Sequence, residues 1–492
     1  MAWLARTLII AFVITALPAT PATAASLAAL PSTIRVNISG LGTTYARIGS
    51  TGSVSVTTDD GTTLYQGFTS TIARRGVRRL ADASHAAASL PDPEDRRNRA
   101  AQLREARLAA RVDDVAIVTV PFEFSVEDDG STPLRAPLFS AQQITALHFA
   151  PTDGLLTYNG RAFRGTFDLT RDDEGDMIVV NQVDTAAYLA SVVGSEEPST
   201  WMPEALAAQA IAARTYLVTH MHRHERYDLE GDTRDQEYDG LGGETASTLR
   251  ATLRTSGLVA TYRGAPIEAL YSANAGGFTE DSENVYATTL PYLRAVPSPS
   301  DEAALVSSWG RTSWEWTEEY TAPQLQSYLA ARGIDVGDVR RIDVTQVSAT
   351  GRVMGARIVG SNGVRDIGKD RSRYYFGLRS SLFTVSTHPE ELEIVSASAL
   401  DIDRVRQLEF LGAKVEQTYL LNLRDPDRFG KPRVGGWMYR LPARFVFSGR
   451  GYGHGVGMSQ WGAQGMALAG KSAEEILTHY YQGIAITSIG GA

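Results

Sequence analysis

An alanine-rich stretch near the middle of the chain constrains the fold more than any other feature. Residues 203–224 read PEALAAQAIAARTYLVTHMHRH, and Pro203 suits the first position of a helix. Alanine side chains allow neighbouring elements to approach closely, so we expect this helix to be buried in the protein.

A shorter helix is predicted just before it. Asp184 is a good N-cap for the run TAAYLASVV, and Gly194 is typical of the residue that ends a helix. Residues 195–200 would then form a tight connection between the two helices, and this connection carries Glu196 and Glu197.

Strands surround this helical pair in the sequence. IRVNI, SVSVTT and TTLYQGF alternate apolar and polar residues between turn residues within residues 34–68, and further β-rich runs follow on both sides of the helices. The chain is therefore predicted to be an α+β protein with a β-rich body and a buried alanine-rich helix.

The 492 residues allow several domains. We predict a leader over 1–24 and a β-rich region over 25–154, interrupted by an arginine-rich helical insertion at about 70–112. Residues 155–486 are predicted as the functional domain, with an excursion at about 386–442.

The N-terminus has the pattern of a secretory signal peptide. A positive residue, Arg6, precedes the short apolar run TLIIAFVITAL, and small residues stand before a cleavage site after Ala24. No later segment approaches the length of a membrane span, so we expect an exported chain without a transmembrane helix. An uncleaved N-terminal anchor is the alternative.

Composition excludes several classes of function. The sequence has no cysteine, which rules out disulfides, thiolate zinc sites, iron–sulfur clusters and a cysteine nucleophile. Its net charge of −9 argues against a general nucleic-acid binder, which needs a basic surface.

Two segments could carry chemistry. Glu196 lies beside Glu197, and a neighbouring negative charge together with partial burial would raise a carboxyl pKa towards the range of a general acid. The loop GRGYGHGVG alternates glycines from Gly449 to Gly457, which fits neither a dinucleotide fingerprint nor a P-loop. It allows the backbone to pass close to a ligand or another strand. Two exposed glutamates and a purely structural loop are the alternatives.

Several ordered segments together resemble the stage II sporulation protein D (SpoIID/LytB-type) family. They are NQVDTAAYLASVVGSEEPSTWMPEALAAQAIAARTYLV, the Gln-x-Tyr-x-Gly motif at 236–240, YSANAGGFTEDSENVY, and the C-terminal run SGRGYGHGVGMSQWGAQGMALAG followed by HYYQG. The resemblance covers roughly residues 155–385 and 443–486.

This resemblance implies a peptidoglycan lytic transglycosylase. Such an enzyme cleaves the β-1,4 bond between N-acetylmuramic acid and N-acetylglucosamine in glycan strands stripped of stem peptides, and leaves a 1,6-anhydro sugar. The family's catalytic glutamate falls on Glu196, while Glu197 stands where many members have an apolar residue.

Further positions match family motifs and are expected in the substrate cleft, although structural packing is an equal alternative for each. Arg214 would bind substrate or orient Glu196. The other expected substrate-binding residues are Tyr271, Ser272, Gly276, Gly277, Thr279, Tyr452, His454, Gly455, Ser459 and Gln460.

Some family members bind zinc just before the Gln-x-Tyr motif. Here that stretch reads DLEGDTRDQEY, without cysteine, so we expect no metal and no cofactor. The expected partners are glycan strands and, as the alternative function, a cell-wall amidase that a non-catalytic enhancer would stimulate. A hydrolytic muramidase, with Asp281 or Glu283 as a second carboxylate, is a third hypothesis.

Overall fold

A computed structural model describes most of the chain. The described residues are 30–43, 45–67, 70–74, 123–127, 146–171, 176–221, 223–286, 288–369, 371–396, 408, 414–421 and 433–490. The predicted leader and residues 75–112 of the arginine-rich insertion lie outside them.

The chain divides into two compact units. The N-terminal unit is built mainly from Ser26–Val259 and the C-terminal unit from Ala260–Thr487. The division falls inside the stretch 155–486, for which the sequence predicts a single functional domain.

Two sheets of the N-terminal unit contain all its strands in the described residues. The strands are β1 (Thr33–Asn37), β2 (Tyr45–Ser50), β3 (Val54–Thr58), β4 (Thr63–Gly67), β5 (Ser70–Arg74), β6 (Glu123–Glu127), β7 (Leu147–Pro151), β8 (Leu156–Tyr158), β9 (Arg161–Phe163), β10 (Thr166–Arg171), β11 (Met177–Asp184) and β12 (Leu229–Glu230). One sheet has the order β12-β1-β11-β10-β7-β3-β4 and the other β6-β5-β2-β8-β9.

Alternation of residue type explains these strands. In β3, the two valines and Thr58 are buried while the intervening side chains are half-buried, as expected for a strand with one face on the core. Most neighbours are antiparallel, and the short β12 runs parallel to β1. Residues 70–74 form β5, so the predicted start of a helical insertion at about residue 70 is wrong at this point.

The helices of the N-terminal unit follow β11. They are α1 (Thr185–Glu196), α2 (Pro203–His220), a 3-10 turn (Gly240–Gly243) and α3 (Ala246–Arg254). Asp184 caps α1 by accepting hydrogen bonds from two backbone N–H groups of its first turn, both at 2.9 Å. Pro203 begins α2, and every alanine of α2 is at most 1% exposed.

The predicted end of the first helix at Gly194 is wrong. The helix continues to Glu196, and the N–H of Glu197 still bonds to the carbonyl of Val193 at 3.0 Å. A Cβ atom on Gly194 would lie 1.9 Å from the carbonyl oxygen of Gly243. This glycine therefore permits a close approach of two backbones, and Glu196 lies in the last turn of α1 rather than on a loop.

The C-terminal unit contains several small sheets and short helices. Its strands, including those at the unit boundary, are β13 (Leu258–Tyr262), β14 (Ala265–Pro266), β15 (Tyr271–Ser272), β16 (Glu315–Thr321), β17 (Val339–Val347), β18 (Val353–Gly360), β19 (Gly363–Gly368), β20 (Phe383–His388), β21 (Glu391–Ser396), β22 (Lys414–Leu421), β23 (Arg433–Leu441), β24 (Arg444–Arg450), β25 (Met458–Ser459) and β26 (Ala485–Ser488).

Its helices are α4 (Ser282–Val285), a 3-10 helix (Pro299–Val306), α5 (Ser308–Trp314), α6 (Ala322–Ala330), α7 (Arg371–Phe376), α8 (Gln460–Leu468) and α9 (Ala473–Tyr480). Aromatic and aliphatic side chains from β16, β17, β18, β20, β24, α6 and α7 form one buried core. Within the part of the chain that the structure describes, no helix has the length and apolarity needed to cross a membrane.

Candidate active site

Glu196 lies at the C-terminal end of α1, half-buried, and one of its carboxyl oxygens is fixed by the backbone. Its Oε1 accepts a hydrogen bond from the N–H of Glu237 at 3.0 Å. The helix supplies the position and this N–H supplies the orientation, so the carboxyl is held at the protein surface.

The segment 231–239, which we call the 231–239 loop, contacts α1 at two further points. The N–H of Asp239 donates to Ser195 Oγ at 3.1 Å, and Gln236 Nε2 donates to the hydroxyl of Tyr188 at 3.1 Å. The side chain of Tyr238 is also buried, where its hydroxyl donates to Asn181 at 2.7 Å. Alternate side chains of the loop thus anchor in the core, while the intervening N–H groups reach the helix end.

Glu197 is the buried member of the acidic pair. Its side chain is 1% exposed, and neither carboxyl oxygen has a hydrogen-bond partner among the described residues. Burial raises the pKa of Glu197 well above the usual value of a glutamate, and the charge of Glu196 adds to the effect. Burial therefore favours the protonated form of Glu197.

This burial has a signal in the sequence. The family resemblance implies an apolar residue at position 197 in many members, and an apolar residue there would indicate an inward-facing site. The expectation that partial burial acts chiefly on Glu196 overlooked that signal.

Arg214 is buried in α2 and contacts the end of α3. Its guanidinium donates to the backbone carbonyls of Thr252 at 3.0 Å, Thr255 at 2.8 Å and Leu258 at 3.2 Å. Burial lowers the pKa of Arg214 to about 10. These contacts cap the carbonyl end of a helix, and they lend no support to the predicted contact with substrate.

His220, at the end of α2, is also buried. It is 2% exposed and stacks on the ring of Tyr216 at 3.5 Å between centroids. Among the described residues, no group of three or more histidine, aspartate or glutamate side chains is arranged to hold a metal ion.

In the C-terminal unit, the structure brings the two family-like segments together. β15 pairs in parallel with β25, and Asn274 and Tyr452 exchange backbone hydrogen bonds at 3.1 and 2.8 Å. The N–H of Glu280 donates to the carbonyl of Gly455 at 2.8 Å. Residues 271–280 and 452–459 therefore form one continuous surface.

Glycine is required at the alternating positions of this surface. Gly451, Gly453, Gly455 and Gly457 all have positive φ angles between 74° and 106°. A Cβ atom on Gly455 would lie 2.2 Å from Nη2 of Arg352. Gly276 and Gly277 also have positive φ angles, so these predicted site residues shape the backbone.

His454 is held as a neutral imidazole. Its Nδ1 accepts a hydrogen bond from the N–H of Val456 at 3.0 Å, which leaves the ring proton on Nε2. Burial, helped by the positive charges of Arg373 and Arg352, lowers the pKa of His454 to about 3. A hydrogen bond with the backbone of Tyr271 also holds the ring, which does not supply a positive charge at neutral pH.

Most of the other predicted binding residues are buried. Ser459 caps α8, donates to Asp301 Oδ1 and accepts the N–H of Ala275 at 3.1 Å. Thr279 accepts the N–H of Val296 at 2.8 Å. The buried set is Ser272, Gly276, Thr279, Gly455, Ser459 and Gln460, whereas Tyr271, Gly277 and His454 are half-buried and Tyr452 is 48% exposed.

Asp301 is a central residue that sequence reasoning missed. Besides Ser459, it accepts Ser298 Oγ at 2.8 Å and the N–H of Gly277 at 3.0 Å, and burial raises its pKa. It belongs to the run PSDEAAL, which matches no catalytic pattern, so no sequence signal could have singled it out.

The two candidates for a second carboxylate are both paired with Arg294. Its guanidinium donates to Glu283 Oε1 at 3.0 Å and lies 3.2 Å from Asp281 Oδ1. This pairing lowers the pKa of Glu283. Both carboxyls therefore pair with the same arginine.

Comparison with known proteins supports the resemblance. Residues 173–262 match the SpoIID family model, described as "Stage II sporulation protein", and residues 304–400 match a domain of unknown function, DUF8618. The first match contains Glu196, Glu197 and the 231–239 loop.

The names of two similar proteins also agree with the SpoIID/LytB-type resemblance. Stage II sporulation protein D of Bacillus amyloliquefaciens is 29% identical over 330 residues, which is 63% of this chain and 75% of that protein. An uncharacterized protein of Brachyspira hyodysenteriae is 28% identical over 341 residues, 69% of this chain and 75% of that protein. The amidase enhancer of Bacillus subtilis is 28% identical over 321 residues, 61% of this chain but only 40% of that protein.

Proposed function

Since this chain belongs to the SpoIID/LytB-type family, whose members are linked to the bacterial cell wall, we propose that it cleaves the glycan strands of peptidoglycan. The reaction is the non-hydrolytic cleavage of the β-1,4 bond between N-acetylmuramic acid and N-acetylglucosamine. Glu196 is the catalytic acid and base, and the protein acts outside the cytoplasmic membrane.

The position of Glu196 is the observation that carries this proposal. A catalytic carboxyl must be reachable by substrate and held in one orientation. Glu196 is half-buried at a helix end, and its Oε1 is fixed by the N–H of Glu237 at 3.0 Å. Its neighbour Glu197 is buried, so Glu196 is the accessible carboxyl of the pair.

One carboxyl is enough for this chemistry. The protonated Glu196 gives its proton to the glycosidic oxygen O4, and the C1–O4 bond breaks with its electron pair going to O4. The carboxylate then takes the proton of the C6 hydroxyl of the same muramic acid, and O6 bonds to C1. No water is consumed, and the intramolecular attack has the advantage of proximity.

The hydrolytic alternative requires one more reacting group than this path. A hydrolytic muramidase needs a second carboxylate as nucleophile or base. Asp281 and Glu283, the two candidates in the sequence, are both committed to Arg294. In the C-terminal unit, the exposed Tyr452 and the half-buried Tyr271 are the most accessible aromatic residues of the predicted binding set, and an accessible ring can stack on a sugar.

The product distinguishes the hypotheses. Glycan strands without stem peptides are incubated with the protein, and the fragments are analysed by mass. Anhydro ends, one water lighter than reducing ends, support the proposal, whereas reducing ends would mean hydrolysis.

Two variants locate the acid. Glu196→Gln removes the transferable proton, and we expect it to lower the cleavage rate by about 100-fold or more. Glu225→Gln, an exposed glutamate of the same unit, should cleave at the normal rate. Full activity of Glu196→Gln would refute the assignment.

A second candidate function follows from one relative. The similarity to the amidase enhancer of Bacillus subtilis supports a non-catalytic protein that binds the cell wall or an amidase. No cleavage by the wild type, combined with faster peptide release by an added cell-wall amidase, would favour this function.

A further inference from the structure

The first half of the 231–239 loop contains Arg234, whose side chain bonds to Glu230 and Asp232. Arg234 donates from Nη1 and Nη2 to the two carboxyl oxygens of Glu230 at 3.0 and 2.9 Å. Its Nε donates to Asp232 Oδ1 at 2.8 Å, and Nη2 also reaches Asp232 Oδ2 at 2.8 Å. Such two-pronged pairs fix direction as well as distance.

Glu230 connects this arginine to the sheet. It is 5% exposed, and its backbone lies in β12 opposite Asn37 of β1. Asn37 Nδ2 donates to Glu230 Oε2 at 2.8 Å, and the hydroxyl of Tyr227 donates to Oε1 at 2.7 Å. Arg234 therefore pairs with a carboxyl group, that of Glu230, which contacts with the sheet already hold in place.

Asp235 connects the same loop to α2. It accepts the N–H of Glu230 at 2.8 Å and the hydroxyl of Tyr216 at 2.9 Å. The start of the loop is thus tied to the sheet and to α2, so the path of the residues that follow is set.

Glu237 follows Asp235 by two residues, and its N–H donates a hydrogen bond to the carboxyl of Glu196. We propose that Arg234 is a positioning residue for Glu196: by clamping Glu230 and Asp232, it holds the 231–239 loop where the N–H of Glu237 orients the acid. The inference rests on the proposed function for its catalytic consequence, but the mechanical link is independent of it.

A loosened loop should affect turnover more than binding. A small misplacement of a catalytic group can lower a rate by up to about 100-fold. Arg234→Gln loses the ionic clamp, so we expect kcat for glycan cleavage to fall at least about tenfold while KM stays within about twofold. Arg234→Lys keeps the charge but not the forked geometry of the guanidinium. Its kcat should therefore lie between that of the wild type and that of Arg234→Gln.

A second measurement does not depend on activity. Hydrogen exchange reports how often the N–H groups of Glu237 and Asp239 leave their acceptors. We expect both amides to exchange at least about tenfold faster in Arg234→Gln, with α1 and α2 still protected. Arg254→Gln, which removes a more exposed ion pair with Glu204 in the same unit, is the matched control and should change neither measurement.

The two measurements separate the possible failures. If the wild type cleaves glycan and Arg234→Gln keeps its kcat, the inference is overturned. If the wild type does not cleave glycan, the proposed function fails, and the hydrogen-exchange rates alone test the role of Arg234. Faster exchange of the Glu237 amide in Arg234→Gln supports this role, and unchanged exchange overturns it. If Arg234→Gln does not fold, Arg234→Lys is judged by the same two criteria.

Discussion

The buried carboxyl of Glu197 should make the stability of the N-terminal unit depend on pH in a recognisable way. Its folded pKa is raised well above the unfolded value, so the folded state holds more protons than the unfolded state between these two values. The free energy of unfolding therefore falls as pH rises above about 4.3, the usual pKa of an unfolded glutamate. One excess proton corresponds to a slope of about 1.4 kcal/mol per pH unit at most.

Glu197→Gln replaces the carboxyl with a group of similar shape that cannot ionise. We expect the variant to match the wild type near pH 4 and to be more stable by about 1.4 kcal/mol for each pH unit above about 5, until the folded pKa is passed. The free energy of opening can be measured by native-state hydrogen exchange of the α1 amides at several pH values, with correction for intrinsic exchange.

The exposed Glu225 provides the control for this experiment. Glu225→Gln should give a curve parallel to that of the wild type, because its carboxyl lies in water in both states. Parallel curves for Glu197→Gln as well would refute the reasoning, since they would mean that Glu197 is ionised and stabilised in the folded protein.

Three further substitutions test the structural roles assigned above. Arg214→Met leaves the carbonyls at the end of α3 without their donor, and we expect a loss of about 2–4 kcal/mol in urea unfolding. Gly455→Ala places a Cβ atom against Arg352 at a positive φ angle, so the thermal midpoint of the C-terminal unit should fall clearly, which calorimetry can measure. Ser459→Ala removes both a helix cap and a partner of the buried Asp301, at a cost of about 1–3 kcal/mol in the same measurement. A change below about 0.5 kcal/mol in any of the three would contradict its assigned role.

Local signals in the sequence predicted the helical pair well. Asp184 and Pro203 act on their own first turns, so their effects can be read from neighbouring residues alone. Gly194 was misread because its reason is a contact with Gly243, which lies 49 residues away in the chain. A glycine that ends a helix and a glycine that admits another backbone look the same in a single sequence.

The proximity of the two C-terminal segments was predicted, but the contacts that support them were not. The segments 271–280 and 452–459 do lie together, as their shared family resemblance suggested. Burial separates the residues within them: Ser459 is fully enclosed, whereas Tyr452 is half-exposed. Accessibility depends on what packs from distant parts of the chain, such as Asp301, and a motif does not contain that information.

The hydrogen bond that orients Glu196 comes from the main-chain N–H of Glu237, and this affects which substitutions the sequence can accept. The side chains of Glu237 and Asp239 take no part in the hydrogen bonds that reach the end of α1. Mutation can therefore alter the charge and size of the Glu237 side chain without removing the N–H that bonds to Glu196. The surface beside this carboxyl can therefore change in evolution while the orientation of the Glu196 side chain is kept.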